Sequence, residues 1–351
     1  MLENWINPLP SKAFFKKGTH LSIKTSANSE DFNSAIPPKI ALIGYGEFMP
    51  FIREAFYKLE LSSFVDSFVD LGDARNNDQS LMSDAYKELI SQNIFPIVLD
   101  SSVNPSISIA NALKSLKSEN NFGLICPDTS SSSQAYSLFS RLLENDKVKS
   151  LSFLAYQKHF ANPSNQVIPK INLANLMSLG KIRDDITSAE PILRGLSSIA
   201  FDVGSIRACD SIGLSNSRNI GLFSEEACQL LQYAASSTAL KGVHLFGFKL
   251  EDNNSRKIGA ELIACLIWYI INGRLNANSL VSSKKNMTCY IVELEDGKQQ
   301  LQFWKDDKSQ RWWLEIPNMK EEKSLIPCDE KDYNLACENK MSDRLFHLLA
   351  R

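Results

Sequence analysis

Carboxylates recur in this chain where apolar runs give out. Asp100 follows Phe95–Leu99, Asp128 follows Phe122–Cys126, and Asp202 closes the run that starts at Ser198. Anionic side chains that converge on one point can hold a hard cation, with water completing the shell. Asp128 and Asp202 are therefore candidate metal ligands. Each also has a local alternative, because a carboxylate at a strand end can satisfy itself on backbone amides and loop hydroxyls. Histidine, the commonest proton carrier, is scarce. There are four (His20, His159, His244 and His347), none close in sequence to Asp128 or Asp202. His159 and His244 read as structural histidines rather than ligands.

Other chemistry-bearing patterns are weaker. Thr129–Ser133 offers hydroxyls ahead of a helical segment, where they either hold an anion or cap the helix, and capping is the simpler role. Gly44–Tyr45–Gly46 begins like a dinucleotide fingerprint, but Met49 stands where the third glycine belongs. No nucleophile elbow is present. Seven cysteines, an odd number without a Cys-x-x-Cys pair, read as reduced, buried thiols of a cytoplasmic protein.

The elements that must position these residues alternate. Lys39–Ile43, Phe64–Leu71, Phe95–Leu99, Phe122–Cys126, Ser150–Ala155, Ser198–Val203 and Gly242–Phe248 read as strands. Between them lie helical patterns at Pro50–Leu59, Ser80–Asn93, Ile107–Leu116, Ser133–Leu143, Pro169–Leu179, Ile186–Arg194 and Ser224–Ala234, with Ser255–Ile271 after the last strand. Strands joined by helical crossovers must run parallel, so the expected fold is a three-layer α/β/α domain with a mostly parallel sheet. After Gly273 the pattern changes. Met287–Leu294, Lys298–Trp304 and Gln310–Ile316 read as a small antiparallel meander, closed by a C-terminal helix around Asp343–Ala350. The implied organisation is an N-terminal segment packing on the core (1–37), an α/β domain (38–280) and a C-terminal extension (281–351). Trp304, Trp312 and Trp313 lie on the extension, where they either form an exposed aromatic surface for a protein partner or cover the main domain.

Composition narrows the function. A formal net charge of −2 lacks the basic excess of a nucleic-acid binder. The apolar stretch Leu262–Ile271 is about half of the roughly 20 residues a membrane span needs, so no membrane insertion is expected. The first residues, Met1–Lys17, lack the apolar region of a signal peptide.

Asp70–Leu71–Gly72–Asp73, Ser198–Ile199–Ala200–Phe201–Asp202, and Gly221–Leu222 leading through Glu225–Glu226 occur in the order of landmarks in the arginase/ureohydrolase superfamily. Leu151–Gln157, Glu190–Arg194, Trp268–Tyr269 and Arg311–Trp313 are similar to its formimidoylglutamase-like (arginase-like) branch, which carries a C-terminal extension. The resemblance implies a metal-activated hydroxide, held by two Mn2+ ions, attacking a guanidino or formimino carbon. It also implies six ligand positions, which fall on Val103, Asp128, Ser130, Ser132, Asp202 and Gly204. Four of these (Val103, Ser130, Ser132, Gly204) lack a ligating carboxylate or imidazole. The substrate-binding glutamate falls on Gly247 or Phe248. The expectation is thus a degenerate member, without a cofactor, acting as a binding or assembly protein and a homo-oligomer. The alternative is an altered hydrolase of a non-peptide C–N bond that keeps Mn2+ on Asp128 and Asp202, with further ligands such as Asp100 or Asp210.

Overall fold

The computed structural model describes residues 5–7, 9, 39–64, 67–75, 79–118, 120–128, 130, 133–143, 148–160, 176–214, 218–250, 255–277, 284–294, 299–317 and 323–349. The first half of the main domain comprises β1 (Ile6–Asn7), β2 (Ile40–Gly44), α1 (Met49–Phe56), β3 (Phe68–Ala74), α2 (Gln79–Ser91), β4 (Phe95–Leu99), α3 (Asn104–Ser115), β5 (Asn121–Ile125) and α4 (Gln134–Leu143). The second half comprises β6 (Ser150–Tyr156), β7 (Leu176–Ser178), α5 (Leu179–Asp184), α6 (Glu190–Arg194), β8 (Ser198–Asp202), α7 (Ser224–Ala235), β9 (Val243–Phe246) and α8 (Arg256–Ala277).

Runs such as Ile40–Gly44 and Phe95–Leu99 are apolar at successive positions because both faces of the sheet are covered. The strands form one sheet in the order β1-β3-β2-β4-β9-β8-β5-β6-β7, parallel throughout except for β1, which pairs antiparallel with β3 through Ile6 and Ala74. Helices α2, α3 and α4 cover one face, while α1 and α7 each pack against α8 over the other. Between β4 and β5 the chain skips two places, which β9 and β8 later fill. The carboxyl ends of these four neighbouring strands are where an open α/β sheet places its ligands.

Two readings of this half change. Leu176–Ser178, expected at the end of a helical pattern, forms the edge strand β7; the rest of that pattern, 169–175, lies outside the described residues. Helix α8 runs 22 residues rather than ending at Ile271, long and apolar enough by length and composition to cross a membrane. Half of its apolar window is buried, through residues such as Ile263, Leu266 and Ile270 in the main core.

A buried ion pair stiffens the β2–β3 side. Arg53 on α1 donates from Nε and Nη2 to both oxygens of Asp70 (2.9 and 3.2 Å) and from Nη1 to Asp73 (2.8 Å). The Tyr57 hydroxyl and the Gly72 amide donate to Asp70 as well, at 2.6 and 3.0 Å. The arginine and Asp70 are fully buried, so each depends on the other for its charge to be tolerable there.

The C-terminal extension is an antiparallel sheet of β10 (Met287–Leu294), β11 (Gln299–Asp306), β12 (Trp312–Pro317) and β13 (Lys323–Cys328), followed by α9 (Glu330–Cys337) and α10 (Asp343–Leu349). The fourth strand and α9 go beyond the expected meander and single helix. Arg194 of α6 fastens this sheet to the main domain, donating from Nη2 to the carbonyls of Trp312 and Cys328 at 3.0 Å each.

The three tryptophans differ in exposure, Trp312 being buried while Trp304 and Trp313 are half-buried. Trp312 is 4% exposed and stacks on Tyr333 of α9. Trp313 lies against the Arg194 guanidinium, 4.3 Å from ring centroid to carbon, and half-buried Trp304 lies beneath Lys284. The cysteines also divide: Cys126, Cys228 and Cys328 are buried, whereas Cys209, Cys289 and Cys337 are exposed, against the expectation of buried thiols.

Candidate functional site

The carboxyl ends of β8 and β5 carry the two carboxylates singled out above. Asp202 is the last residue of β8, and its Oδ1 accepts from the Gly204 amide at 2.9 Å, capping a single helical turn. Asp128 follows β5, and its Oδ1 accepts from the Ser130 amide at 2.7 Å. Its other oxygen is taken by Arg218, whose Nη2 donates at 2.7 Å. The guanidinium lies over the Phe160 ring, 4.2 Å from its centroid. Backbone pairing fixes the base of Arg218, whose carbonyl accepts from the Ala208 amide at 2.6 Å.

The electrostatics of the site follow from this arrangement. Burial pushes the Asp202 carboxyl up to about 7; the Gly204 amide and the Arg218 charge oppose that shift, and Asp128 adds to it. Cys126, the residue after β5, has its thiol raised well above the usual range by burial. Arg218 therefore acts electrostatically on Asp128, Asp202 and Cys126 together.

The other candidate positions are committed elsewhere. Val103 precedes α3, is 7% exposed and packs with Ile107, Phe122 and Phe246. Gly204 and Ser130 bring backbone amides to the two carboxylates. Ser132 lies outside the described residues. Gly247 has φ +75°, and a β-carbon there would stand 2.2 Å from Asp202 Oδ1. A glutamate at that position would meet the carboxylate that a metal would need. Phe248 is 2% exposed in the main core. Asp100 accepts from the Ser102 hydroxyl and amide (2.8 and 3.2 Å), and Asp210 is paired with Arg207 at 2.9 Å.

The histidines separate. His244 on β9 is fully buried, with Nδ1 2.6 Å from the Ser106 hydroxyl and no partner on Nε2; burial pushes its pKa down to about 3. His159 is exposed on the turn after β6, with its ring against Phe160. Capping is what Ser133 does: its hydroxyl accepts from the Tyr136 amide at 3.1 Å, at the start of α4.

Sequence reasoning missed Arg218 and Phe160. Arg218 stands 90 residues from Asp128 in the chain, in a loop without periodic pattern, so no local spacing announces the pair.

Neither any family model nor any curated protein sequence matches the chain. Solved structures do. The formimidoylglutamase of Bacillus subtilis aligns over 68% of this chain and 88% of its own, with 17% identity and a TM-score of 0.57. Trypanosoma cruzi formiminoglutamase, crystallised with Mn2+, aligns over 70% of this chain and 95% of its own at 17% identity and a TM-score of 0.56. This chain has the ureohydrolase fold. A third ureohydrolase, the agmatine ureohydrolase of Thermoplasma volcanium, aligns over 72% of this chain and 94% of its own, with 16% identity and a TM-score of 0.54.

That fold raises the question of manganese, and the residues present do not fit it. Among the described residues no group of three or more histidine, cysteine, aspartate or glutamate side chains could hold a metal ion. Of the two carboxylates that remain, one is neutralised by an arginine and the other lies against the Cα of Gly247. A bridging metal pair needs several anionic or imidazole ligands, and this donor set does not supply them.

Proposed function

We propose that this chain is a degenerate member of the arginase/ureohydrolase superfamily, of the formimidoylglutamase-like branch, that no longer performs metal-dependent amidine hydrolysis. It serves as a binding or assembly protein, working as a homo-oligomer in the reducing cytoplasm that its free thiols suit. One observation carries the reading: the Arg218–Asp128 ion pair of 2.7 Å stands where a metal would need a free carboxylate. Without a metal to lower the pKa of bound water, the site has no nucleophile for a guanidino or formimino carbon. Among the described residues, no histidine is placed beside the two carboxylates to act instead as general base.

The test is turnover. The purified protein, incubated with saturating Mn2+ and in turn with agmatine, arginine and formiminoglutamate, is expected to release no urea or formamide above the protein-free blank. Mn2+-dependent release that disappears in the Asp128→Ala/Asp202→Ala double variant would establish the other reading, a hydrolase with a reduced metal site.

A further inference from the structure

The same site holds a positive charge of its own. Arg218 projects from a loop anchored by the Ala208–Arg218 backbone bond and by the pairing of Arg207 with Arg218. It crosses to Asp128 at the end of β5 and stacks on Phe160 just past the end of β6. The pair is shielded without being sealed, with 35% of the arginine side chain and 12% of the aspartate exposed. Asp202 lies within the field of both charges. A largely shielded carboxylate such as Asp128 needs a counter-ion, and a guanidinium that is always protonated supplies one at any working pH.

We infer that Arg218 is a built-in replacement for the divalent cation, a tethered guanidinium that neutralises Asp128 and keeps external metal ions out of the site. The inference rests on the proposed loss of hydrolysis but goes beyond it. Ligand loss alone would leave a weak, empty cation site, whereas this arrangement predicts a site already filled by a side chain and insensitive to metal. Arginine is suited to the task because its planar cation both hydrogen-bonds a carboxylate and stacks on an aromatic ring. Freeing Asp128 returns an oxygen donor to the strand ends where Asp202 also lies, and oxygen donors of this kind hold a hard cation with water.

The experiment is a Mn2+ titration of the full chain, followed by the electron paramagnetic resonance signal of free Mn2+. The parent is compared with Arg218→Met, which keeps the contact on Phe160 and removes the charge, and with Arg218→Met/Asp128→Asn, which removes both charges. Arg218→Lys, retaining a charge, is the second single variant should Arg218→Met not fold. The expected result is Mn2+ binding at least about tenfold tighter in Arg218→Met than in the parent, returned to the parent's level in the double variant. Arg218→Lys should bind Mn2+ no more tightly than the parent. Equal Mn2+ affinity in the parent and Arg218→Met, or tighter binding in Arg218→Lys, would overturn the inference while leaving the loss of hydrolysis intact. Turnover by the parent would instead overturn the proposed function.

Discussion

Two arginine–aspartate pairs sit on the same sheet, one within β3 and one beyond the carboxyl end of β5, and differ in almost everything except their chemistry. Arg53 and Asp70 are fully buried, joined by two hydrogen bonds, with Tyr57, Gly72 and Asp73 completing the network. Arg218 and Asp128 share one hydrogen bond and remain partly open to water. The first pair is structural: its members are too deeply buried to meet a ligand. The second lies where α/β sheets bind ligands, with part of its charge open to water. The difference teaches that a charged pair's role follows from its access and saturation rather than from its residue types.

The largest effect expected is at the buried pair. Arg53→Ala strands the Asp70 charge in the core and should lower folding stability by about 3–5 kcal/mol, as read by denaturant unfolding. A change within the range of surface substitutions would remove the contrast between the two pairs.

His244 gives the next effect, through pH. Its folded pKa lies near 3, below the 6.5 of an exposed imidazole, so the stability tied to its neutral form is present above pH 6.5 and lost as the pH falls toward 3. Between pH 7 and 4 this should remove about 2–3 kcal/mol from the parent. His244→Met, which does not titrate, should lack that component. Asp202, raised to about 7, acts with the opposite sign, favouring the fold below its ordinary 3.8 and losing that contribution as the pH rises to 7. It is common to both proteins, so their difference isolates His244. Identical pH profiles would contradict the burial argument.

Gly247 sharpens the comparison at the open site. With φ +75° and Asp202 Oδ1 2.2 Å from where an added β-carbon would stand, Gly247→Ala should cost about 1–3 kcal/mol. Thermal unfolding checks this, and an unchanged melting midpoint would show that β9 and Asp202 are not held in close approach. Arg218→Met should have the smallest effect on stability, about 1 kcal/mol, because water already screens the pair. Should it destabilise as much as Arg53→Ala, the two pairs would share one structural role.

The alternation of apolar runs and helical patterns made most of the sheet legible, because buried parallel strands leave continuous apolar stretches such as Ile97–Leu99. The two-residue β1, the edge strand β7, β13 with Pro327, and the polar helix α9 carry no such stretch and were not anticipated. Asp202 was visible because it ends a strand and Asp128 because it follows one closely. Arg218 was not, since its partner is reached through the fold alone. The tryptophans of the C-terminal sheet were visible as aromatic residues, but their direction depended on Arg194 and Tyr333, which only packing reveals.

The central claim is that this site is held by an arginine in place of a metal pair, and the metal content of the purified protein tests it most directly. After growth and purification with Mn2+ present and removal of unbound ions, elemental analysis should find Mn2+ far below one ion per chain, at the level of the Asp128→Ala/Asp202→Ala control. Stoichiometric manganese that the double variant loses would contradict the account.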